Sequence, residues 1–388
     1  MKRIRILQII PGIAIGDQSG GAEQYAVQIS RLFPNDEFER AIFVMTCYGS
    51  PSEDAWLSLL NEEGIAVSGF IQPHGSLTKF LCEVFHSLWN FVFTFRPDII
   101  TSHTERGDLL NTLIHLFHPL HPKCVRTVHI DKQWISHPFI GKFLNNILFS
   151  LTFSFETAVS ETICQQLNNR RIARLLGKEA TLFHNGIDES FFTSPPRTRA
   201  NTPQPEGIPD IQLKLGTIGR LTEQKGHADL FTALKNVNKY YQAHLFVIGS
   251  GPLESQLKRL IQIMGLEHYV HFLGNRNDVM DILPQLDLVI SASLWEGFPT
   301  VLLEAMSQEI PVIATDISGS SELIKPGITG ILVPPANPRI LSDAILELLS
   351  DLDEAKKMGA RARLYASQFT IQNTARNHAN LYRNIIQD

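Results

Sequence analysis

The chain has 388 residues, of which 44% are hydrophobic and 19% are charged. This length exceeds what one ordinary hydrophobic core needs and predicts two domains. The formal net charge of -5 leaves no basic excess, so a protein that tracks nucleic acid along its phosphates is excluded. The cysteines match no metal-ligand spacing and predict reduced thiols in a cytoplasmic protein; they are Cys47, Cys82, Cys124 and Cys164.

Short apolar runs alternate with longer amphipathic segments in both halves of the chain. Continuous Val, Ile and Leu runs predict parallel strands that are covered by helices on both faces. We therefore expect two doubly wound α/β domains, whose ligands bind at the carboxyl ends of the strands. The predicted strands are 4–10, 40–46, 99–102, 125–129, 157–159, 214–218, 244–248, 270–272, 288–291, 312–314 and 331–333.

A change of composition marks the expected boundary between the domains. Residues 194–209, SPPRTRANTPQPEGIP, are rich in Pro, Thr and Asn and lack a hydrophobic period, which predicts a linker. The N-terminal domain is then 1–193 and the C-terminal domain 210–370. Residues 371–388 predict a terminal helix with Leu381, Ile385 and Ile386 on one side.

Two glutamates flank the start of a predicted helix in 294–306, LWEGFPTVLLEAM. Proline suits a first helical turn, so the helix should open near Pro299, and the free N–H groups of 297–301 should attract an anion. Glu296 and Glu304 could then bind two sugar rings of one ligand. The alternative is that the two residues are a helix-start acid and part of a solvated face.

Two cations project from the predicted loop in 216–226, GTIGRLTEQKG. Gly219 lets the chain turn after a strand, and Arg220 and Lys225 follow it. A guanidinium fork and an ammonium suit phosphate oxygens, and a departing diphosphate needs such charges as it gains negative charge. A solvated basic loop is the alternative.

Two glycine pairs lie after predicted strands. Gly249 and Gly251, in VIGSGPLE, predict a tight turn close to a ligand, and Gly20 and Gly21 permit close backbone approach before a helix. Plain turns would explain both pairs. The first resembles a dinucleotide fingerprint, but the next strand carries no ribose-binding acid, which disfavours an NAD-dependent dehydrogenase.

Two histidines follow strands of the first half, namely His103 and His129. Both could face a ligand, and both could equally be packed polar residues. The only Asp-x-Asp pattern, at Asp351 and Asp353, lies in a helical run. The sequence therefore predicts no metal site and no cofactor.

Taken together and in order, these segments resemble glycosyltransferase family 4. EGFPTVLLE resembles its E-x7-E motif, GRLTEQKG its phosphate loop, and GGAEQ, HNGID and VHFLG occupy the expected positions. The resemblance implies a GT-B fold, in which two Rossmann-like domains face each other across a cleft. It also implies transfer of a sugar from a nucleotide-sugar donor, expected to be UDP-linked, with retained anomeric configuration and without a metal.

The resemblance also assigns roles to residues. Arg220 and Lys225 would hold the donor diphosphate, Glu296 the transferred sugar and Glu304 the ribose. His103 would lie beside the reacting sugar, although its segment is SHTE where many relatives carry H-x-H-E. The other implied donor-side residues are Gly20, Gly21, Asn185 at the interdomain turn, Phe272 and Arg276 of the base pocket, Gly297, Phe298, Pro299, Thr300 and Val301. The C-terminal helix would cross back to the first domain.

The acceptor is less defined by the sequence. Of 23 phenylalanines, 18 lie in residues 1–200, concentrated in LWNFVFTF and FIGKFLNNILFSLTFSF. Most should be core residues, but an apolar patch could dock on a membrane or on a lipid-linked acceptor. The expected acceptor is a glycan, a lipid-linked sugar or a small molecule. The remaining alternatives are a nucleotide-sugar epimerase of the same fold and a non-catalytic nucleotide-sugar-binding subunit.

Overall fold

The computed structural model describes residues 3–15, 20–72, 76–134, 137–209 and 211–387. The chain forms two compact units. Unit 1 comprises Met1–Asn185 and Ile371–Asp388, and unit 2 comprises Gly186–Thr370. Each has its own sheet and its own hydrophobic core, as the length of the chain predicts.

Unit 1 is built on a parallel sheet, which has seven strands among the described residues, in the order β3-β2-β1-β4-β5-β6-β7. The strands are β1 Ile4–Ile10, β2 Phe38–Thr46, β3 Ala66–Ile71, β4 Ile99–Ser102, β5 Lys123–Val128, β6 Phe155–Ala158 and β7 Thr181–Leu182. The register pairs Ile6 of β1 with Arg40 on one side and with Ile99 on the other.

Unit 2 is built on a second parallel sheet, which has six strands among the described residues, in the order β10-β9-β8-β11-β12-β13. They are β8 Leu213–Ile218, β9 Ala243–Ile248, β10 Val270–Gly274, β11 Leu288–Ser291, β12 Val312–Thr315 and β13 Ile331–Val333. Every paired strand runs parallel to its neighbour, so each connection must cross over a face of the sheet.

Helices supply these crossovers. They are α1 Gly21–Leu32, α2 Pro51–Glu62, α3 Leu77–Phe95, α4 Glu105–Phe117, α5 Pro138–Phe143, α6 Phe149–Thr152, α7 Glu161–Asn168, α8 Arg171–Leu175, α9 Ser190–Thr193, α10 His227–Val237, α11 Glu254–Met264, α12 Val279–Ile282, α13 Thr300–Ser307, α14 Ser320–Leu323, α15 Pro338–Ser350, α16 Leu352–Ala366 and α17 Ile371–Gln387. A π-helical turn, Leu144–Leu148, joins α5 to α6. Across the described ranges, none of these helices combines the length and apolar character needed to cross a bilayer.

Both faces of the first sheet are buried. Leu7 and Ile9 of β1 pack in a cluster with Val84 and Leu88 of α3. Ile10 of the same strand belongs to a second cluster, which includes side chains of α1 and α2. Side chains of one strand alternate between the two faces, so helices on both sides are required. The predicted α/β class and doubly wound sheets are confirmed.

The predicted strands are present, and two further strands are added at the edges of the first sheet. β3 carries Gly69 at φ 106°, where a Cβ atom would lie 2.1 Å from the carbonyl oxygen of Val44. Its side chains are mostly half-buried, so it lacks the continuous apolar run of the central strands. β7 has only two residues, too few to give a pattern.

The domain boundary differs from the predicted linker at 194–209. The units divide between Asn185 and Gly186, and 194–209 lies within unit 2. Arg199 donates from Nη2 to Asp287 Oδ1 at 2.7 Å and to the carbonyl oxygen of Gln285 at 2.8 Å. An aperiodic, proline-rich composition excludes regular structure, but it does not exclude side-chain contacts with a folded neighbour.

The terminal helix α17 belongs to unit 1 and packs against α1. The hydroxyl of Tyr25 in α1 lies 2.6 Å from Nε2 of His378, and both residues are buried. Tyr382 and Ile385 also face inward, but Ile386 is exposed, so the predicted apolar side was wrong at that residue. Buried His and Tyr make the inner face less apolar than the pattern assumed.

Candidate functional site

In each sheet, one pair of neighbouring strands is separated in sequence, and the crossovers leave in opposite directions there. In unit 2 this pair is β8 and β11. Ligands of open α/β sheets bind at such switch points, outside the carboxyl ends of the strands. The loops after these strands, 219–226 and 292–299, contain six of the residues that the sequence predicted to bind a donor, namely Arg220, Lys225, Glu296, Gly297, Phe298 and Pro299.

A cation and a carboxylate from these two loops form an ion pair. The Nζ atom of Lys225 donates to Oε1 of Glu296, and the side chains are only 19% and 10% exposed. Ser293 donates from Oγ to the same carboxylate oxygen at 2.8 Å, and Gln224 donates from Nε2 to Oε2 at 3.3 Å. Glu296 is therefore held in one orientation by three donors.

The backbones of the two loops are also joined. The N–H of Leu294 donates to the carbonyl oxygen of Gln224 at 2.7 Å, and the Gln224 amide donates to the carbonyl oxygen of Trp295 at 2.9 Å. Gly226 has a φ of 61°, and a Cβ atom there would lie 2.1 Å from the carbonyl oxygen of Ala292. Glycine at this position is what allows the loops to meet.

Arg220 lies at the start of the loop that follows β8, and its side chain is exposed. In the sequence it is close to Lys225 of the ion pair. Its guanidinium makes no hydrogen bond or ion pair with any other residue that the structure describes. The loop backbone is fixed, because the N–H of Leu221 donates to the carbonyl oxygen of Ser250 at 2.9 Å. A rigid loop thus presents a positive charge that the unit itself leaves uncompensated.

Glu304 lies on α13, which begins at Thr300 with Pro299 at the N-cap position. Its side chain is half-buried, and burial raises the pKa of its carboxyl to about 7. Among the described residues no side chain donates to this carboxyl. An acid that is desolvated without a partner is costly, and hydroxyl donors of a ligand could supply the missing hydrogen bonds.

Gly249 and Gly251 have a structural explanation of their own. A Cβ atom at Gly249, whose φ is 130°, would lie 2.1 Å from the carbonyl oxygen of Gly219. At Gly251 it would lie 2.6 Å from the carbonyl oxygen of Leu221. These glycines let the turn after β9 pack against the Arg220 loop, so they shape the site whether or not they touch a ligand.

The residues predicted for the base pocket have partners within the chain. Arg276 forks onto Asp278, at 2.7 Å from Nε and 2.5 Å from Nη2, and also donates to the carbonyl oxygen of Glu206. The pair with Asp278 raises the pKa of the guanidinium. The Phe272 ring is half-buried beside Phe231, with centroids 6.3 Å apart. Their role toward a base stays a prediction.

Phe298 and Val301, near the start of α13, differ in burial. Phe298 is buried, with its ring centroid 5.5 Å from that of Phe369, so it anchors the loop. Val301 is half-buried, as is Thr300. Gly297 is buried, and a Cβ atom at Gly319 would lie 2.2 Å from its carbonyl oxygen. The backbone here is packed tightly from behind.

In unit 1 the corresponding switch point lies between β1 and β4, and His103 follows β4 directly. His103 is buried and both of its ring nitrogens have partners. Nε2 donates to Oε1 of Gln8 at 2.7 Å, so Nδ1 accepts from Nε2 of His129 at 3.1 Å. The ring of Tyr25 packs edge-on against His129 at 4.8 Å.

This histidine cluster is uncharged near neutral pH. Burial lowers the pKa of His129 to about 3 and that of His378 to about 3, and the pKa of His103 is also depressed by burial and by its histidine neighbours. His129 is half-buried, whereas His103 is buried. The structure therefore leaves His129 the more accessible of the two, although the resemblance assigned the role to His103.

The remaining predicted residues of unit 1 are placed as follows. Gly20 is the N-cap of α1, and its N–H donates to Oε2 of Glu23 at 3.0 Å. A Cβ atom at Gly21 would meet no atom within 4 Å. Asn185 is buried at the end of the first segment of unit 1. Their contact with a ligand stays a prediction.

The strand-end carboxylates of unit 1 are engaged in structural contacts. Asp108 accepts from Oγ of Ser102 at 2.7 Å and from Arg126 at 3.3 Å, and burial raises its pKa to about 6. Glu105 accepts from the backbone N–H of Trp134. Within the part of the chain that the structure describes, no three His, Cys, Asp or Glu side chains are placed to hold a metal ion.

Comparison with known families is decisive for the class of protein. Residues 19–191 match the family described as "Glycosyltransferase Family 4", and residues 198–365 match "Glycosyl transferases group 1". The chain belongs to glycosyltransferase family 4. The two matches lie in order along the chain, as the ordered motifs predicted.

Curated relatives match parts of this family 4 chain. N-acetyl-alpha-D-glucosaminyl L-malate synthase of Bacillus anthracis is 28% identical over 63% of the chain and 64% of the relative. The lipopolysaccharide core biosynthesis mannosyltransferase LpsB of Rhizobium meliloti is 30% identical over 56% of the chain and 64% of the relative. The chain spans 46% to 64% of the length of these and other curated relatives.

Solved structures share the fold over nearly the whole chain. Anabaena HepE, solved in complex with UDP and glucose, has a TM-score of 0.76 at 22% identity and covers 98% of this chain and 100% of its own. Sucrose-phosphate synthase from Thermosynechococcus elongatus has a TM-score of 0.80 at 18% identity, covering 99% and 100%. The GT-B fold of this family 4 member is thereby established.

Two residues that support the site were not predicted. Ser293 and Gln224 both donate to Glu296, but neither was singled out in the sequence. Gln224 lies inside a quoted motif, one residue from Lys225, and Ser293 immediately precedes another, three residues from Glu296. Small polar residues beside a charged one are common, so the signal was present but not distinctive.

Proposed function

We propose that this protein transfers a sugar from a UDP-linked donor to an acceptor hydroxyl, with retention of anomeric configuration and without a metal ion. The observation that carries the proposal is the group of charged side chains at the β8/β11 switch point. Lys225 and Glu296 are paired, while Arg220 and Glu304 have no partner among the described residues. A ligand with both anionic and hydroxyl groups would complement this group.

The donor would be divided among these side chains by chemistry. The diphosphate contacts Arg220 and Lys225, because both are cations of the same loop. Lys225 exchanges Glu296 for phosphate when the donor arrives, which frees Glu296 to accept from hydroxyls of the sugar. Glu304 accepts from ribose hydroxyls. UDP is proposed as the nucleotide, and Anabaena HepE was solved with UDP and glucose.

The chemistry would rest on electrostatics and positioning. As the bond between sugar and phosphate breaks, negative charge grows on the diphosphate and is stabilised by Arg220 and Lys225. Asp108 and Glu105 are engaged in structural contacts, so neither is offered as a nucleophile. We therefore favour attack of the acceptor hydroxyl on the face that the diphosphate leaves, with a phosphate oxygen taking the proton.

The acceptor is proposed to be a glycan or a lipid-linked sugar used in cell-surface polysaccharide or glycolipid synthesis. LpsB of Rhizobium meliloti, which is named for lipopolysaccharide core biosynthesis, supports this class. The reaction is proposed to take place in the cytoplasm, as the reduced cysteines predict. The four cysteines are free thiols in the structure.

One assay tests the whole proposal. The protein is incubated with a panel of nucleotide sugars, with and without candidate acceptors, in the presence and absence of EDTA. Release of UDP that depends on an acceptor, and that continues in EDTA, is expected. NMR of the product should show the anomeric configuration of the donor. Conversion of the donor to an epimer without acceptor would contradict the proposal, and so would nucleotide binding with no turnover of any donor.

A further inference from the structure

One helical segment of unit 1 turns large apolar side chains toward solvent. It runs through α5, the π-helical turn and α6, residues 138–152. Phe139 is 86% exposed and Phe143 is 56% exposed, and Ile147 and Leu151 are exposed as well. These four residues, the apolar stripe, are spaced by four, which puts them on one side of a helical segment.

A second exposed apolar pair lies next to this segment. Leu175, which is 74% exposed, is the last residue of the short helix α8, and the exposed Leu176 follows it. Arg170 donates from Nη1 to the carbonyl oxygen of Asn145 at 2.9 Å, and Lys178 donates to the carbonyl oxygen of Ser150 at 3.0 Å. These bonds hold α8 and its flanks against the segment that carries the stripe.

The charged residues within the two segments that carry the exposed apolar side chains are all basic, and the exposed Glu161 and Glu179 border the second segment. Residues 132–155 and 162–178 contain no Asp or Glu, in a chain whose formal net charge is -5. Lys142, Arg171 and Arg174 are exposed within these segments. Apolar side chains framed by cations suit an anionic bilayer, where rings enter the interface and basic groups meet lipid phosphates.

The other phenylalanine-rich run behaves differently. On α3, Phe80 is buried, and Phe85, Phe91 and Phe95 are partly buried in the cluster beneath the sheet, so that only Phe93, which is 44% exposed, faces solvent. Phenylalanine content alone therefore does not identify a docking surface. The exposure of the stripe distinguishes it from an ordinary helix, whose apolar side faces the core.

A symmetric dimer is a poorer partner for this surface. A two-fold contact would join the same patch of both copies, and would therefore bring the cations Lys142, Arg171 and Arg174 of one copy near the basic patch of the other. Like charges that face each other across an interface oppose association. Anionic lipid removes this repulsion and accepts the apolar side chains at the same time.

We propose that the apolar stripe, with Leu175, Leu176 and their flanking cations, docks unit 1 on a bilayer that contains anionic lipid. Phe139 and Phe143 enter the interface, and Lys142, Arg171 and Arg174 contact headgroup phosphates. The inference stands on exposure and charge alone, so it does not depend on the proposed transferase activity.

Vesicle sedimentation tests this inference with the full-length protein. Vesicles of phosphatidylcholine alone are compared with vesicles that also contain phosphatidylglycerol. Wild type should bind the anionic vesicles, and the bound fraction should fall as salt rises. Phe139→Ser with Phe143→Ser should lower partitioning by about tenfold or more, because both rings leave the interface. Lys142→Glu with Arg174→Glu should weaken binding to anionic vesicles selectively.

The matched control removes two exposed apolar side chains from unit 2, Ile263→Ser with Leu364→Ser, and should bind as wild type does. Thermal unfolding, measured on every variant, reports folding separately from docking. The inference is overturned if wild type ignores anionic vesicles, or if the control loses as much binding as the stripe variant. It is also overturned if wild type is a stable dimer that the Phe139→Ser, Phe143→Ser variant converts to a monomer.

Discussion

Unit 1 and unit 2 both carry polar side chains at the switch point of a parallel sheet, but they treat these side chains differently. In unit 1, His103 has partners on both ring nitrogens, and the second histidine of the pair packs against Tyr25. In unit 2, Arg220 and Glu304 find no partner among the described residues. His103 is thus satisfied by the protein itself, although Nε2 of Gln8 and Nδ1 of His378 in the same cluster have no partner among the described residues. The two charged groups of unit 2 are left without any partner in the described part of the chain.

This difference separates structural from ligand-binding polar groups. Buried polar atoms are normally paired, so a desolvated acid without a donor points to a missing ligand. A satisfied network rigidifies the fold and can be explained without a ligand. By this criterion the donor-side predictions in unit 2 are stronger than the prediction for His103, and substitutions in the two units should have different kinds of effect.

The largest effect is expected from the two cations of unit 2. Arg220→Ala and Lys225→Ala should each lower kcat for sugar transfer by about 10²–10³, as removal of one oxyanion-hole donor does. The reason is that each contributes charge stabilisation as the diphosphate departs. Steady-state kinetics with the best donor of the panel measures the change, together with thermal unfolding to show that the variants fold.

Arg339→Ala provides the matched control for this experiment. Arg339 is also an exposed arginine of unit 2, but it lies on α15, outside the loops of the site. Its kinetics should equal those of wild type. If Arg220→Ala and Lys225→Ala also retained wild-type kcat, neither Arg220, which is unpaired among the described residues, nor Lys225 would contribute to catalysis. The contrast between the two units would then fail.

A smaller effect, in opposite directions for binding and stability, is expected from Glu304→Gln. The folded pKa of about 7 lies above the ordinary carboxyl pKa of 4.5, so folding favours the neutral acid. That contribution is present below pH 4.5 and is lost as the pH rises through 7. At pH 8 the substitution should therefore raise the free energy of unfolding of unit 2. The pKa shift sets an upper limit of about 3 kcal/mol, and the gain should be smaller because the side chain is only half-buried.

The same substitution should weaken UDP binding by about tenfold, because an amide is a poorer acceptor than a carboxylate for ribose hydroxyls. Calorimetric titration at several pH values measures the loss, and the pH dependence of affinity near 7 should disappear in the variant. Glu347→Gln, at an exposed site on α15, should change neither quantity. Unchanged UDP affinity in Glu304→Gln would remove this residue from the donor site.

Much of the fold followed from the sequence, because parallel strands buried on both faces leave continuous apolar runs. The bounds of β1, β4, β11 and β13 coincide with the predicted ones. β3 was missed because it is half-buried and carries Gly69 where only glycine fits. Local pattern identifies an element when burial is nearly complete, and it fails at sheet edges.

The contacts within the site could not be predicted in the same way. Lys225 and Glu296 are 71 residues apart and meet only because β8 and β11 are neighbours in the sheet. The bonds of His103 to Gln8 and His129 likewise depend on sheet order. The sequence identified which side chains to examine, and only the tertiary structure distinguishes satisfied residues from unpartnered ones.

Unit 1 offers the next test, because its cluster should respond in stability. Tyr25→Phe keeps the ring that packs against His129 but removes the hydroxyl that lies 2.6 Å from Nε2 of His378. Leaving that buried nitrogen without a partner should cost about 1–3 kcal/mol in the free energy of unfolding. Denaturant unfolding measures the loss. Tyr240→Phe, at an exposed site in unit 2, should be neutral, and equal stability of all three proteins would contradict a structural role for the cluster.

The smallest effect, measured per pH unit, is expected for the dependence of the stability of unit 1 on pH. His129 and His378 have folded pKa values of about 3, below the ordinary imidazole pKa of 6.5, so folding favours their neutral forms. Their contribution is complete above pH 6.5 and is lost as the pH falls toward 3. Each should reduce the free energy of unfolding by at most about 1.4 kcal/mol per pH unit in that window.

His378→Gln should remove one histidine's share of the slope while leaving the slope from His129. Tryptophan fluorescence follows this unit selectively, since Trp56, Trp89 and Trp134 belong to unit 1 and Trp295 alone belongs to unit 2. A slope that is unchanged in His378→Gln would mean that this histidine titrates normally in the folded protein. The structural role of the buried histidine cluster in unit 1 would then lose its physical basis.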